Sequence, residues 1–219
     1  MKTQTTRSRQ RELARRLLKV AGTTYSQEAG VKLRDTPMPL FQLLVLCMLA
    51  SKPIDAGIAM RAGGELFRAG LKTPQAVLDA DRKTMIEAFG RAHYVRYDES
   101  SATRLADMAA LVRDEYSGDL RDLAAAGRKD KPTVRRLLKQ FKGIGDTGAD
   151  IFLREVQDVW PWVRPHFDGR AIAVARELGL PDQPDELMSL APRSSATLAA
   201  ALVRVSLDDD MRAEVLGSG

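Results

Sequence analysis

The chain has 219 residues, 44% hydrophobic and 29% charged, the composition of an ordinary globular protein long enough to bury a core. Its 34 Lys and Arg against 29 Asp and Glu leave a net charge of +5, which permits a polyanionic partner without demanding one. The single cysteine, Cys47, rules out an internal disulfide, a structural zinc site of the cysteine type and a four-cysteine iron–sulfur cluster, and its apolar setting reads as a small core residue.

No apolar segment follows the first charges, so no secretory signal is expected, and the apolar run 43–50 falls far short of the roughly 20 residues that span a bilayer. The expected protein is soluble and cytoplasmic. Helix signals recur along it and strand signals do not. Residues 7–21 place Leu13, Leu17, Leu18 and Ala21 on one face and Arg11, Arg15, Arg16 and Lys19 elsewhere, an amphipathic basic helix. A glycine- and proline-punctuated stretch, 22–39, reads as a crossing between domains. Residues 41–51 are apolar almost all round, the pattern of a central buried helix that Pro53 ends. Asp55, Thr73 (followed by Pro74) and Asp81 each read as the cap of a following helix.

The longest periodic segment is 100–116, with Leu105, Met108, Ala109, Val112 and Tyr116 as its stripe. Helices are expected at 119–126, 132–141 and 147–156, the last two joined by Gly143-Ile144-Gly145. An aromatic loop, 160–167, precedes a helix opening at Asp168, and helices at 194–205 and 208–216 close the chain. The three acids Asp208, Asp209 and Asp210 read as caps and dipole partners before a metal site. The fold class is all-α, about a dozen short helices.

The stretch 137–151, Leu-Leu-Lys-Gln-Phe-Lys-Gly-Ile-Gly-Asp-Thr-Gly-Ala-Asp-Ile, carries the function. Glycines flanking an aliphatic residue let the backbone reverse between helices, because glycine takes positive φ at little cost. The turn then offers backbone amides at a helix N-terminus, where an anion such as a DNA phosphate is stabilised. An ordinary helix cap and turn explains Gly-x-Gly equally well when it stands alone.

Its surroundings resemble the endonuclease III branch of the helix-hairpin-helix (HhH-GPD) DNA glycosylases. The string 141–149 is similar to that family's Leu-Pro-Gly-Val-Gly-x-Lys-Thr-Ala hairpin, and Phe167-Asp168-Gly169-Arg170-Ala171, then Leu178-Gly179-Leu180, to its Val-Asp-Thr-His-Val and Leu-Gly-Leu. Trp160-Pro161, the segments 39–44 and 48–55, and Lys72-Thr73-Pro74 resemble further family motifs in the family's order. The resemblance implies two helical subdomains, one at 39–155 that includes the hairpin at 132–155, the other formed by 1–38 with 156–219. It also implies a reaction class: scission of an N-glycosidic bond on a base flipped out of double-stranded DNA, by a nucleoid-associated monomer.

Within that resemblance Asp168 is the carboxylate that stabilises positive charge on the sugar, although an aspartate there also reads as the N-cap of the next helix. Lys142, Gly143, Ile144, Gly145, Thr147, Lys52 and Arg170 become the DNA contacts, and Trp160, Trp162, His166 and Phe167 could line a pocket for the extruded base. A monovalent cation at the hairpin is the one cofactor the family suggests; no iron–sulfur cluster and no catalytic metal are expected. The departures are informative. Thr147 stands where bifunctional members carry a Schiff-base lysine, so lyase activity is not expected. Lys52 replaces a wedge glutamine, Arg170 replaces a histidine, and Asp146 sets a negative charge beside the expected phosphate. Two readings therefore stand: a monofunctional glycosylase, and a catalytically degenerate DNA-binding protein that keeps the grip alone.

Overall fold

The computed structural model describes the backbone of residues 2–217 and the side chains of residues 6–217. Within those residues the chain is all-helical, and it divides into two compact units, Tyr25–Leu153 and the pairing of Met1–Thr24 with Arg154–Gly219. The boundary falls at 24/25, not at 38/39 as the sequence suggests. The reason is burial: the short helix α2 (Tyr25–Glu28) and the segment after it put Tyr25, Ser26 and Val31 inside the 25–153 unit. The second boundary, at 153/154, lies two residues before the expected one.

The 25–153 unit is organised around α3 (Pro37–Ala50), in which every residue from Leu43 to Leu49 is wholly buried. A helix apolar on all sides needs neighbours on all sides. These are α4 (Ala56–Arg68), α7 (Asp98–Tyr116) and α8 (Leu120–Ala126), while α5 (Pro74–Asp79) and α6 (Arg82–Arg91) pack on α7 in turn. The helix starts follow the capping chemistry read from the sequence. Asp55 accepts from Ile58 N–H at 3.0 Å, Thr73 from Ala76 N–H at 3.2 Å and Asp81 from Thr84 N–H at 2.7 Å. Each such cap is worth about 1 kcal/mol. A 3-10 turn at Val95–Tyr97 leads into α7, and the glycine-bearing turn 139–145 joins α9 (Lys131–Leu138) to α10 (Asp146–Val156) where the hairpin is expected.

In the other unit α1 (Lys2–Ala21) turns Ala14, Leu17 and Ala21 inward against α13 (Ser195–Arg204) and α14 (Asp209–Leu216). Between them in sequence lie α11 (Gly169–Glu177) and α12 (Pro184–Leu190). Its core joins Phe167, Ala175, Leu187, Leu198, Leu202 and Val215. Asp208 accepts from Met211 N–H at 2.9 Å, the capping role expected of the acidic triplet's first member. Among the described residues no helix is long and apolar enough to cross a membrane.

Candidate nucleic-acid interface

The hairpin is built around one strained position and one close approach. Gly143 has φ +95°, where a side chain is disfavoured, and a Cβ there would lie 3.1 Å from both Arg104 Cδ and Met48 Cγ. Gly145 differs from the expectation that both flanking glycines serve the reversal. Its φ is not positive, and a Cβ on it would meet open space. The glycine that packing requires is Gly148, which sequence reasoning does not single out: a Cβ there would sit 2.6 Å from Ser51 Oγ and 3.3 Å from Ile144 Cδ1. The first turn of α10 is thereby pressed onto the end of α3.

Ile144 is buried at 3% exposure, so its side chain anchors the turn and only its backbone is left for a ligand. Ile144 N–H donates to Phe141 O at 3.0 Å, and the α10 ladder opens with Ala149 N–H to Gly145 O at 3.0 Å. The amides of Asp146, Thr147 and Gly148 precede that ladder and have no acceptor within the helix. Together with Ser51, Lys139, Lys142 and Thr147, the turn walls a concavity of 620 Å³.

Charge around the turn is arranged differently from the sequence expectation. The Asp146 carboxylate is held by Lys139 Nζ at 2.6 Å and by Arg135 Nη1 at 2.9 Å. Lys139 first, and Arg135 after it, keep this carboxyl below the usual carboxylate range. Arg135 is shared with Asp150, which its Nε and Nη2 also meet, so two cations face two acids and the residue expected to repel phosphate is neutralised in place. Lys142 is ion-paired with Asp107 at 3.1 Å, yet its side chain is 77% exposed, and a surface pair of this kind exchanges partners at little cost. The side chains that wall the turn include Lys139, Gln140, Lys142 and Thr147, and its one carboxylate, Asp146, is ion-paired with Lys139.

Beside the turn stands a group of residues that only Lys52 represents in the sequence expectation. Lys52 Nζ and the Arg96 guanidinium each lie 5.3 Å from the centre of the Tyr97 ring, within cation–π range. Arg104 packs against Gly143, and burial first, then the Arg104 charge, lower the Lys52 ammonium from its usual value. Among the described residues, Lys52, Arg96 and Arg104 have no ion pair with a carboxylate. No sequence signal gathers them: they come from the end of α3, the 3-10 turn and α7, and only packing brings them together.

In the 154–219 unit, Asp168 is the N-cap of α11, its Oδ1 accepting from Ala171 N–H at 3.0 Å. Its Oδ2 accepts from Arg154 Nη1 at 2.9 Å, and the two side chains are only 9% and 4% exposed. Both carboxylate oxygens are thus engaged inside this unit, and the pairing with Arg154 has no signal in the sequence. The aromatic loop is pinned by buried Gln157, which donates to His166 O at 2.9 Å and accepts from His166 N–H at 3.0 Å. Trp160 stacks on Trp162 with ring centres 5.3 Å apart, but Trp160 is 3% and Phe167 7% exposed. Phe167 belongs to the core of the unit, which leaves Trp162 and His166 as the more accessible pair of the four. Arg170 is exposed on the first turn of α11.

Compared with known proteins, the chain matches no family model, no curated protein and no solved structure.

Proposed function

We propose that this chain is a duplex-DNA-binding protein of the helix-hairpin-helix type, related in plan to the endonuclease III glycosylases and gripping the phosphate backbone through the turn 143–147. One observation carries the reading. Lys52, Arg96 and Arg104 converge around Tyr97 and Gly143 without a carboxylate to answer them. Like charges held together cost free energy in the isolated protein, and a polyanion laid over them reverses that sign. The helix-start amides and exposed Lys142 adjoin the group, and the open face at Gly145 admits a close backbone.

The test is duplex affinity by fluorescence anisotropy across a salt series. Binding to phosphates releases counterions, so affinity should fall with salt, and every phosphate left without its cation should flatten the log–log slope by about 0.9. The variant Lys52→Ala/Arg96→Ala/Arg104→Ala should bind more weakly with a shallower slope. Salt-independent binding, or an unchanged slope in this variant, refutes the proposal.

A second reading, monofunctional base removal, is favoured by the N-cap geometry of Asp168, which fixes the direction of its carboxylate as a sugar-directed group would need. The Arg154 ion pair weighs the other way, because a carboxylate neutralised at 2.9 Å has less charge to give an oxocarbenium-like sugar. Incubation with a panel of damaged and mismatched duplexes separates the two. Excision abolished by Asp168→Asn supports base removal; tight binding without excision supports the binding reading. Any abasic product should need heat or alkali for strand cleavage, since the Thr147 hydroxyl forms no imine.

A further inference from the structure

A second hollow, of 770 Å³, lies in the 25–153 unit among α3, α4, α5 and the segment before α3, and it shares no lining residue with the hairpin concavity. Its volume is that of a small-molecule site. Val31, Phe67 and Pro74 give it apolar walls, and exposed Met38 stands at its rim. Four cations line it, Lys32, Arg34, Arg68 and Lys72, and no acidic residue among the described ones does. Arg68 is paired with Glu65, whereas Lys32, Arg34 and Lys72 have no ion pair among the described residues.

Inside this hollow is a polar group that the fold does not use. Gln42 lies on the otherwise apolar α3 and is 7% exposed, yet its carboxamide lines the hollow with no hydrogen-bond partner among the described residues. The fold supplies this carboxamide with no partner and does not seal it from the solvent of the hollow, so leucine there would remove no protein hydrogen bond. A carboxamide presents a donor and an acceptor side by side, the pattern that meets the edge of a nucleobase in two hydrogen bonds.

We infer that this hollow is a binding site for a nucleoside monophosphate, with the base edge read by Gln42 between apolar walls and the phosphate met by Lys32, Arg34 and Lys72. The site is separate from the proposed DNA grip and stands or falls without it.

The experiment is calorimetric titration of the full chain with AMP, GMP, CMP and UMP, with adenosine and inorganic phosphate as half-ligands. At least one nucleotide should bind more tightly than either half-ligand. Gln42→Leu should weaken that nucleotide roughly tenfold or more, the effect expected when both hydrogen bonds to a base edge are removed. The same variant should melt no lower than the parent, because it removes a polar group with no protein partner. Lys32→Ala/Lys72→Ala should weaken the nucleotide while leaving adenosine unchanged. Absence of binding by all four nucleotides at millimolar concentration overturns the inference, as does phosphate binding as tightly as any nucleotide. Undiminished nucleotide affinity in Gln42→Leu overturns it too, and a marked fall in that variant's melting temperature would assign Gln42 to structure instead.

Discussion

Replacing Arg154 with methionine should unfold the protein more readily than any surface change on the same helix. The substitution keeps most of the volume but leaves the Asp168 carboxylate, 9% exposed, with the Ala171 amide as its remaining donor at 3.0 Å. Removing one member of a buried ion pair costs about 3–5 kcal/mol, most of it the desolvation of the charge left behind. For a chain of this size that corresponds to a fall in Tm of roughly 6–20 °C. Asp168→Asn keeps the cap of α11 but turns an amide N–H toward the Arg154 guanidinium, 4% exposed, so it should cost a comparable amount. The double variant Arg154→Met/Asp168→Asn removes both charges, so its destabilisation should be smaller than the sum of the single effects by about 1–3 kcal/mol. Urea unfolding at pH 7, followed by circular dichroism for all four proteins, measures that coupling. A coupling below about 0.5 kcal/mol would mean that water or another group already satisfies the carboxylate, and the case for a locked Asp168 would fail.

Asp146→Asn removes the acid that occupies Lys139, while Arg135 keeps its pairing with Asp150, so duplex affinity should rise at low salt and the salt slope should steepen by about 0.9 for the one further phosphate that Lys139 can neutralise. Gly143→Ala imposes a Cβ at φ +95° against Arg104 and Met48, and a destabilisation of about 1–3 kcal/mol in urea unfolding, with weaker DNA binding, is expected. Gly145→Ala has open space and no positive φ to oppose it, so it should leave stability nearly unchanged and reduce DNA affinity alone. Hydrogen bonds from Arg91 and then Arg68 hold the Glu65 carboxyl below its usual value of 4.5. A depressed carboxylate adds stability above its unfolded pKa and loses it as pH falls through the folded one. The difference in urea midpoint between the parent and Glu65→Gln should therefore be steady from pH 6 to 8 and close below about pH 4.5.

Local chemistry is legible in the order of residues. Asp55, Thr73, Asp81, Asp168 and Asp208 all cap the helices that their side chains announce, because a cap needs only the next three residues. The unbroken apolar face of α3 likewise marks the centre of its unit. Expectations that require a distant partner fare differently. Asp146 reads as repulsive in one dimension, yet Lys139 and Arg135 lie against it. Gly145 reads as conformationally necessary, whereas Gly143 and Gly148 are the positions that geometry constrains.

What the amino-acid order determines by itself is therefore the helical class, the capped helix starts at Asp55, Thr73, Asp81, Asp168 and Asp208, and the glycine turn that divides α9 from α10; the first and the central helix begin earlier than expected, at Lys2 and Pro37. What tertiary structure decides is which charges are answered and which are not. Arg154 closes on Asp168, Lys52 and Arg96 gather on Tyr97, and Gln42 opens into a hollow without a protein partner. Periodicity and capping act over a few residues and can be read along the chain. The electrostatic environment of a side chain depends on groups that only folding brings near, and it varies steeply over a few ångströms.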